Sequence, residues 1–549
     1  MSQEDNEILN TAQVDRLMRL VEEATRAIKG PPKRFIEPAR GTLDRAKSRR
    51  HHIVFGRRGS GKTSLLRKAS SDLTLQRVPT AFIDLEAFKG HAYPDVLLSV
   101  LIETLHGFDE WLATAGLNTA GKGRWWQKFW GGKPARPPLD RNKIEEVRER
   151  LQEGIQFLTR LLHSDDEVEL VHQTDQTEKA GLRSSSSAAV NTKSSVDVPG
   201  IAKAGIGAEA KNKTAFTEGV ERKTGLTEKT RRSKLGVLHR KIIDFQKLFD
   251  SIVDLSDGDA FVFLDDLYHL RRADQPHVLD YFHRIVKGRS VWLKVGTIRH
   301  RTDWYYHANP PVGMKLADDC DDIDLDITLA KFEIARRFLL QVLDQIVDEA
   351  GLSGHDAILA SGGIVRLVLA SGGVARDFLS IFRRAVDVAR ERGRTHRGER
   401  INAEDVNVAA GEHEPSKRDE LRRDTSEERQ MLEGALLNIR DFCINNKVNC
   451  FLVEQDASIS GRLDVLGELA DLRFVHVVNS RTTVRDRAGK LFTAYMLDIS
   501  QYTGERRRRE LEMISFWERS ELDKLRRSRY ILPLDRLEQL DQVAETDRS

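Results

Sequence analysis

Ile53-Val54-Phe55-Gly56-Arg57-Arg58-Gly59-Ser60-Gly61-Lys62-Thr63-Ser64-Leu65-Leu66 joins an apolar run to a glycine-rich turn and then to a helical pattern. The spacing Gly56…Gly61-Lys62-Thr63 fits G-x-x-x-x-G-K-[ST]. In such a turn, glycines take backbone angles closed to other residues, and amide N–H groups wrap phosphate oxygens at the positive end of a helix. On this reading the turn from Gly56 through Arg57, Arg58, Gly59, Ser60, Gly61, Lys62 and Thr63 to Ser64 binds phosphate. Lys62 reaches the β- and γ-phosphates, and Thr63 places its hydroxyl on Mg²⁺, a hard ion that takes oxygen ligands.

Moving outward, Thr80-Ala81-Phe82-Ile83-Asp84-Leu85 reads as a buried strand and 96–105 as a helix, the alternation of a parallel α/β sheet. The pattern resumes at Ala260-Phe261-Val262-Phe263-Leu264-Asp265-Asp266, an apolar strand that delivers two carboxylates at its C-terminal end, where open α/β sheets hold their ligands. Asp265 suits a magnesium ligand acting through water, and Asp266 suits the group that orients or deprotonates an attacking water. A helix over 278–286 and a strand over 291–296 come next, and Thr297-Ile298-Arg299-His300-Arg301 ends at the same sheet edge, with Thr297 or Arg299 a candidate sensor of the γ-phosphate. Before the loop, Val14, Leu17, Val21, Ala24 and Ile28 mark an amphipathic helix, and Phe35 and Ile36 are either base contacts or ordinary core.

Between these halves, 111–234 exceeds what a minimal nucleotide-binding core needs and reads as an insertion. Its segment 121–138 interleaves five Lys and Arg residues with Trp125, Trp126, Phe129 and Trp130. Such rings can stack on bases, sit at a lipid interface, fill a partner's pocket or cover the protein's own apolar surface. A helical stripe at Ile144, Val147, Leu151, Ile155, Leu158 and Leu162 has an expected antiparallel partner in Leu235, Leu238, Ile242, Phe245, Phe249 and Ile252. The Ser-, Thr-, Lys- and Gly-rich stretch between them reads as a loosely ordered hairpin.

The bulk numbers set bounds. A chain of 549 residues buries at least one full core, and 32% charged residues with a net charge of +3 describe a polar surface without a strong overall field. Nucleic acid is permitted by this balance but not demanded. Cys320, Cys443 and Cys450 show neither C-x-x-C pairing nor neighbouring His clusters, which argues against zinc and a disulfide framework and for a reducing cytoplasm. No transmembrane segment is expected, and the start Met1-Ser2-Gln3-Glu4-Asp5 is acidic.

The order Gly56 to Thr63, Asp265-Asp266, then Thr297 to Arg299 resembles that of AAA+-related ATPases. The Asp-Asp pair and Thr-x-Arg are similar to the STAND branch of signalling ATPases, and the C-terminal half of the chain resembles the origin-recognition (ORC/Cdc6-like) initiator ATPases. The resemblance implies ATP and Mg²⁺ as cofactors, a helical lid, and a homo-oligomer formed on ATP binding. In Ser371-Gly372-Gly373-Val374-Ala375-Arg376-Asp377-Phe378-Leu379 it implies a sensor-2 helix start, with Arg376 reaching back to the phosphates. Asp266 stands where most AAA+ proteins have Glu, one methylene longer. The arginine that such assemblies supply in trans is open among Arg284, Arg289, Arg299 and Arg301.

After a charged linker at 412–428, the series helix, strand, helix and long hairpin is winged-helix-like. Its hairpin carries Arg481, Arg485, Arg487 and Lys490 for DNA phosphates, yet the would-be recognition helix holds Asp464, Glu468 and Asp471 against Arg462. Protein docking or reading of nucleotide state competes with DNA binding for this unit, and Trp125, Trp126 and Trp130 are the candidates for a protein partner.

The expected architecture is therefore α/β: a P-loop NTPase parallel sheet core with a large insertion, followed by an α-helical lid and a C-terminal winged-helix-like domain. Its parts are an N-terminal helix (1–32), a discontinuous core (33–110 and 235–312), the insertion (111–234), the lid (313–411), the winged helix (412–505) and a charged tail (506–549). The expected activity is slow ATP hydrolysis serving a nucleotide-dependent assembly or conformational switch, in DNA transactions or in bacterial defence signalling. An ATP-gated DNA binder without turnover and a membrane-surface-engaging ATPase are the alternatives.

Overall fold

The computed structural model describes residues 8–25, 32, 34–117, 140–164, 234–256, 258–393, 399–424, 429–455, 460–503 and 511–533, with the backbone of six strands between 167 and 233. The chain forms two compact units, Met1–Leu162 with Ile242–Ser549, and His163–Lys241. The expected roles of Trp125, Trp126 and Trp130 fall outside the described residues.

The larger unit opens with α1 (Ala12–Ala24), α2 (Thr42–Ala46), β1 (His52–Phe55), α3 (Lys62–Leu75), β2 (Thr80–Asp84), α4 (Asp95–Leu117) and α5 (Arg141–Leu162). In the smaller unit, β3 (Glu167–Glu178), β4 (Arg183–Ala188), β5 (Asn191–Ser194), β6 (Ile206–Glu209), β7 (Asn212–Thr217) and β8 (Arg222–Ser233) pair as nested antiparallel ladders, β3 with β8, β4 with β7 and β5 with β6. Helix α6 (Lys234–Ser256) then leads to β9 (Ala260–Asp265), α7 (Gln275–Val286), β10 (Val291–Thr297), the short pair β11 (Tyr305–Tyr306) and β12 (Val312–Gly313), and β13 (Asp321–Asp324).

Strands β13, β1, β10, β9 and β2 lie side by side in that order, all parallel. The register sets Phe55 beside Thr297 and Asp84 beside Asp265, so the C-terminal ends of β1, β2, β9 and β10 share one edge. Every residue of β9 is buried, as an apolar strand in a sheet covered on both faces must be. One face packs Val54, Phe261, Phe263 and Ile323 against Leu65, Leu66 and Ala69 of α3.

The lid comprises α8 (Phe332–Ala350), α9 (Ser361–Ser371), α10 (Ala375–Arg392) and α11 (Ala403–Asp424). Asn402 caps α11, its side-chain oxygen accepting from the Glu404 amide at 2.8 Å. Helix α12 (Arg429–Asn445), β14 (Cys450–Glu454), α13 (Ser460–Asp471), β15 (Val475–Thr483) and β16 (Leu491–Leu497) complete the C-terminal unit, whose antiparallel sheet runs β14, β16, β15. Lid and winged helix share one continuous apolar core, from Phe332 and Phe382 through Phe442 to Phe474 and Phe492. Helix α1 belongs to it as well, with Val14, Leu17 and Val21 buried and Asp15 paired with Arg390 at 2.7 Å.

Four boundaries differ from the sequence reading, each because long-range packing outweighs local composition: first, β13, inside the expected lid at 313–411, is an edge strand of the core sheet. The charged stretch at 412–428 is helical as far as Asp424, with Pro415 inside the helix. Its charges do not mark a solvated linker, since Lys417 is buried against Asp498 at 2.9 Å. Part of the charged tail is packed: Ile514, Phe516, Leu525, Tyr530 and Leu532 are buried, and Trp517 stacks on Phe332 with ring centroids 4.7 Å apart. Finally, α4 runs on to Leu117 and is the main neighbour of α5, so the stripe on α5 does not face α6 alone. Gly154 shows this directly, a Cβ there lying 3.1 Å from Leu105 and 3.7 Å from Leu248.

Candidate nucleotide site

The loop between β1 and α3 takes the backbone angles its glycines were expected to supply, with φ +85° at Gly59 and +99° at Gly61, where α3 begins. Lys62 is buried, and its Nζ donates to the Gly56 carbonyl at 2.8 Å and the Arg57 carbonyl at 3.3 Å. The Ser60 hydroxyl is buried without a hydrogen-bond partner, an orphan polar atom inside a turn of amides. The Cβ of an alanine at Gly56 would come within 2.4 Å of it, so a side chain there would have to push the hydroxyl aside.

Strand β9 brings Asp265 against this loop. Its carboxylate takes the Asp266 amide at 3.1 Å and feels the Thr63 hydroxyl as a polar neighbour. Burial, and after it the neighbouring charge of Asp266, pushes Asp265 up to about 7, against the pull of Thr63 and Lys62. Asp266 stands in the left-handed region, φ +58°, and is also raised by burial, with Lys62 opposing and Asp84 and Glu86 adding. The Lys62 ammonium is lowered by burial, which outweighs the support of Asp266 and Asp265. A desolvated pair of carboxylates beside one lysine lacks positive charge, and a magnesium ion carried on phosphate would supply it. The donor set fits: one hydroxyl and one carboxylate, leaving the remaining positions to water and phosphate as this ion prefers.

Gly296 is a site residue that motif reading missed. A Cβ there would lie 2.6 Å from the Asp265 carboxylate and 2.9 Å from Leu66, so β10 must be bare where β9 delivers its acid. The signal in the sequence is a glycine inside an otherwise apolar strand. We expect Gly296→Ala to displace Asp265 and to weaken magnesium-dependent nucleotide binding by about tenfold, the effect of roughly 1–3 kcal/mol of overpacking. Magnesium titrations of nucleotide binding, with circular dichroism as the check on folding, measure it.

The expected sensors are set differently from one another. Thr297 is fully buried, its hydroxyl shared with Thr302 and its carbonyl accepting the Gly56 amide at 3.2 Å, so it ties the loop to the sheet. The Arg299 guanidinium lies over the Phe55 ring and pairs with Asp322 and Asp324 at the β13 edge. Arg301 instead lies over Tyr268, 5.5 Å from the ring centroid, and the Lys62 ammonium is 5.7 Å from the same ring. Tyr268, just after the Asp-Asp pair, is thus in contact with both Lys62 and Arg301, while Arg299 covers Phe55 at the start of the loop. Among the other arginines considered for action in trans, Arg284 pairs with Asp280 at 3.8 Å, and Arg289 with Asp250 and Gln246.

The lid closes on the loop directly. A Cβ on Gly59 would lie 2.6 Å from Arg376 Cβ, and the Arg376 amide is 3.4 Å from the Gly59 carbonyl. Both arginines of the loop turn toward the lid side: Arg57 pairs with Asp326 at 3.1 Å and donates to the Gly372 carbonyl at 3.0 Å, and Arg58 pairs with Glu420 at 3.3 Å. Ser64 follows in the first turn of α3. A polar cavity of about 450 Å³ opens beside the loop, lined by Arg58, Arg376, Lys89, His269, Glu86 and Glu420.

The acidic face of α13 finds its partners on the core. Glu468 pairs with Arg272 at 3.0 Å, and Asp471 accepts from the His300 amide at 2.9 Å and lies 3.0 Å from its ring. Gly467 allows the contact, since a Cβ there would meet the His300 ring at 2.4 Å. In the wing, Lys490 pairs with Glu454 at 2.6 Å and Arg485 with Asp523 at 3.8 Å, while Arg481 and Arg487 are exposed. Among the described residues, no helix is long and apolar enough to cross a membrane, and no group of three or more His, Cys, Asp or Glu is arranged to hold a metal by itself.

No family model matches the chain, and no curated protein does. Among solved structures it is similar to the Orc1 protein of Aeropyrum pernix in complex with DNA, at 14% identity over 90% of this chain and 93% of that one, TM-score 0.32. It is similar to Cdc6p of Pyrobaculum aerophilum at 11% identity over 87% and 94%, TM-score 0.29. A Walker-type ATPase of Pyrococcus abyssi matches at 12% identity over 86% and 98%, TM-score 0.39. The chain is similar to these three structures over most of its length, and the chemistry of its site rests on its own residues.

Proposed function

We propose that this chain is a magnesium-dependent ATPase that turns over slowly and serves as a conformational switch. The observation that carries the reading is the meeting of Lys62, Thr63, Asp265 and Asp266 at one sheet edge, with Arg376 of the lid pressed against Gly59. Lys62 would leave its two carbonyls for the β- and γ-phosphate oxygens, and Arg376 would reach the same charge from the lid. Thr63 and Asp265 would hold magnesium, which when bound would supply positive charge against the negative charge developing on the phosphates. Asp266 would orient the attacking water and accept its proton; its short side chain suits slow turnover. The three cysteines are free and buried, in keeping with a reducing cytoplasm.

Titration of the full chain with ATP, with and without magnesium, tests this. Saturable binding is expected, tightened by magnesium at least about tenfold, a difference of about 1.4 kcal/mol. In Asp265→Asn the magnesium effect should vanish while binding itself persists. Failure of the native chain to bind ATP at millimolar concentration would refute the proposal.

A further inference from the structure

One buried cation at the loop plays no part in the chemistry above. Arg473 follows α13 and has a left-handed backbone, φ +65°, which a non-glycine residue adopts only when its surroundings impose it. Its side chain is 3% exposed. Nη1 donates to the carbonyl of Arg58 in the P-loop at 2.7 Å. Nε lies 3.1 Å from the carboxylate of Asp377, the residue directly after Arg376, and Nη2 donates to Glu420 of α11. One guanidinium fork therefore spans the loop, the start of α10 and α11.

The contact with the loop has a geometric consequence. In a trans peptide the C=O of one residue and the N–H of the next point in opposite directions. Holding the Arg58 carbonyl on the Arg473 side thus holds the Gly59 N–H on the other, and loops of this kind bind phosphate through such N–H groups. Asp377 carries the second link. It is buried, and Arg473, His413 and Lys417 together hold it well below the usual carboxylate range although burial alone would raise it. Arg376 thereby starts from an anchored neighbour. The same helix that presents Arg473 is clasped to the core by Glu468 on Arg272 and Asp471 on His300.

We propose that Arg473 is a positioning residue for the nucleotide site, fixing the Arg58 peptide and the start of α10 together, so that nucleotide occupancy and the seating of the C-terminal domain on the core are coupled. The proposal rests on the ATP-binding reading above. Because such coupling is reciprocal, loosening the C-terminal domain must weaken nucleotide binding, and nucleotide must change the exposure of α13.

The test compares the full-length native chain with Arg473→Met, Arg473→Lys and Leu151→Ala. The last removes a buried side chain on α5, outside the loop, the lid and the C-terminal domain. Arg473→Met should weaken ATP binding about tenfold, within the usual range of coupling between sites. Arg473→Lys should recover part of the loss, and Leu151→Ala should lower the thermal midpoint while leaving ATP affinity within about threefold. If affinity falls in proportion to thermal stability in all three, Arg473 is scaffold only and the proposal is overturned.

Hydrogen exchange on the native chain gives a second readout that needs no variant. ATP should alter exchange at 467–476 as well as in the loop, and a change confined to the loop would overturn the coupling. Native protein that binds ATP with Arg473→Met unaffected defeats this inference alone. Native protein that binds no ATP defeats the ATPase reading and this inference with it.

Discussion

Lys62→Ala is expected to weaken ATP binding at least about a hundredfold while leaving the chain folded. In the native chain the ammonium is buried and held by the carbonyls of Gly56 and Arg57, beside Asp265 and Asp266. It is the side-chain cation that the loop turns to its own interior, since Arg57 and Arg58 are paired with Asp326 and Glu420. Hydrogen bonds from a charged group contribute about 1.5–3 kcal/mol each, so losing two of them to phosphate exceeds the roughly 2.7 kcal/mol that a hundredfold represents. The substitution also leaves two carboxylates facing the incoming phosphate without the nearest compensating charge. Alanine is a good residue for the first turn of α3, so the helix persists. Calorimetric titration with ATP measures the effect, and an affinity equal to that of the native chain would refute the role of Lys62.

The lid and the winged-helix-like unit pack as one body. Their apolar residues form a single core, so neither can move far without the other. Their links to the loop are polar: the Gly372 carbonyl on Arg57, Glu420 on Arg58, and Arg473 on the Arg58 carbonyl. On the proposed reading, a bound phosphate would meet the same loop from its inner side, and a small change in the loop would be carried to the lid and the C-terminal unit through these charged contacts, since a packed core does not absorb it by deforming.

How much the sequence discloses depends on the range of the forces involved. The loop from Gly56 to Thr63 and the strand ending at Asp265 are legible because each is local: spacing fixes the turn, and an unbroken apolar run fits a strand buried on both faces. The parallel sheet is implied by those elements. Pairings across hundreds of residues leave no periodic trace. Arg473 meets the carbonyl of Arg58, and Glu468 meets Arg272, although each looks like an ordinary surface charge in its own segment. The acidic helix α13 is a case in point. Its charges argue against a DNA groove when read alone, and the structure supplies their partners on the core. Lys417 and Pro415 suggest a linker by composition, yet the helix containing them is fixed by contacts with Asp377 and Asp498. Among the arginines after β10, local order cannot separate Arg299 from Arg301, because the rings they cover, Phe55 and Tyr268, lie at the ends of other strands.

Asp266→Asn should leave ATP binding within about threefold of the native chain and reduce turnover by at least about a hundredfold, the lower end of what a positioned general base contributes. The backbone supports a clean comparison, since residue 266 has φ +58° and asparagine tolerates the left-handed region as well as aspartate does. Removing the negative charge also removes repulsion on Asp265, so that carboxylate ionises more readily and magnesium should be held no less firmly. Binding and turnover therefore separate in this variant, whereas in Lys62→Ala they fall together. Single-turnover hydrolysis by enzyme loaded with ATP and magnesium reads the chemical step without product release. Unchanged single-turnover rates in Asp266→Asn would show that the attacking water is activated elsewhere, with Asp84 and Glu86 the remaining carboxylates that act on this position. A variant that instead loses ATP binding would assign Asp266 to holding the nucleotide complex rather than to its hydrolysis.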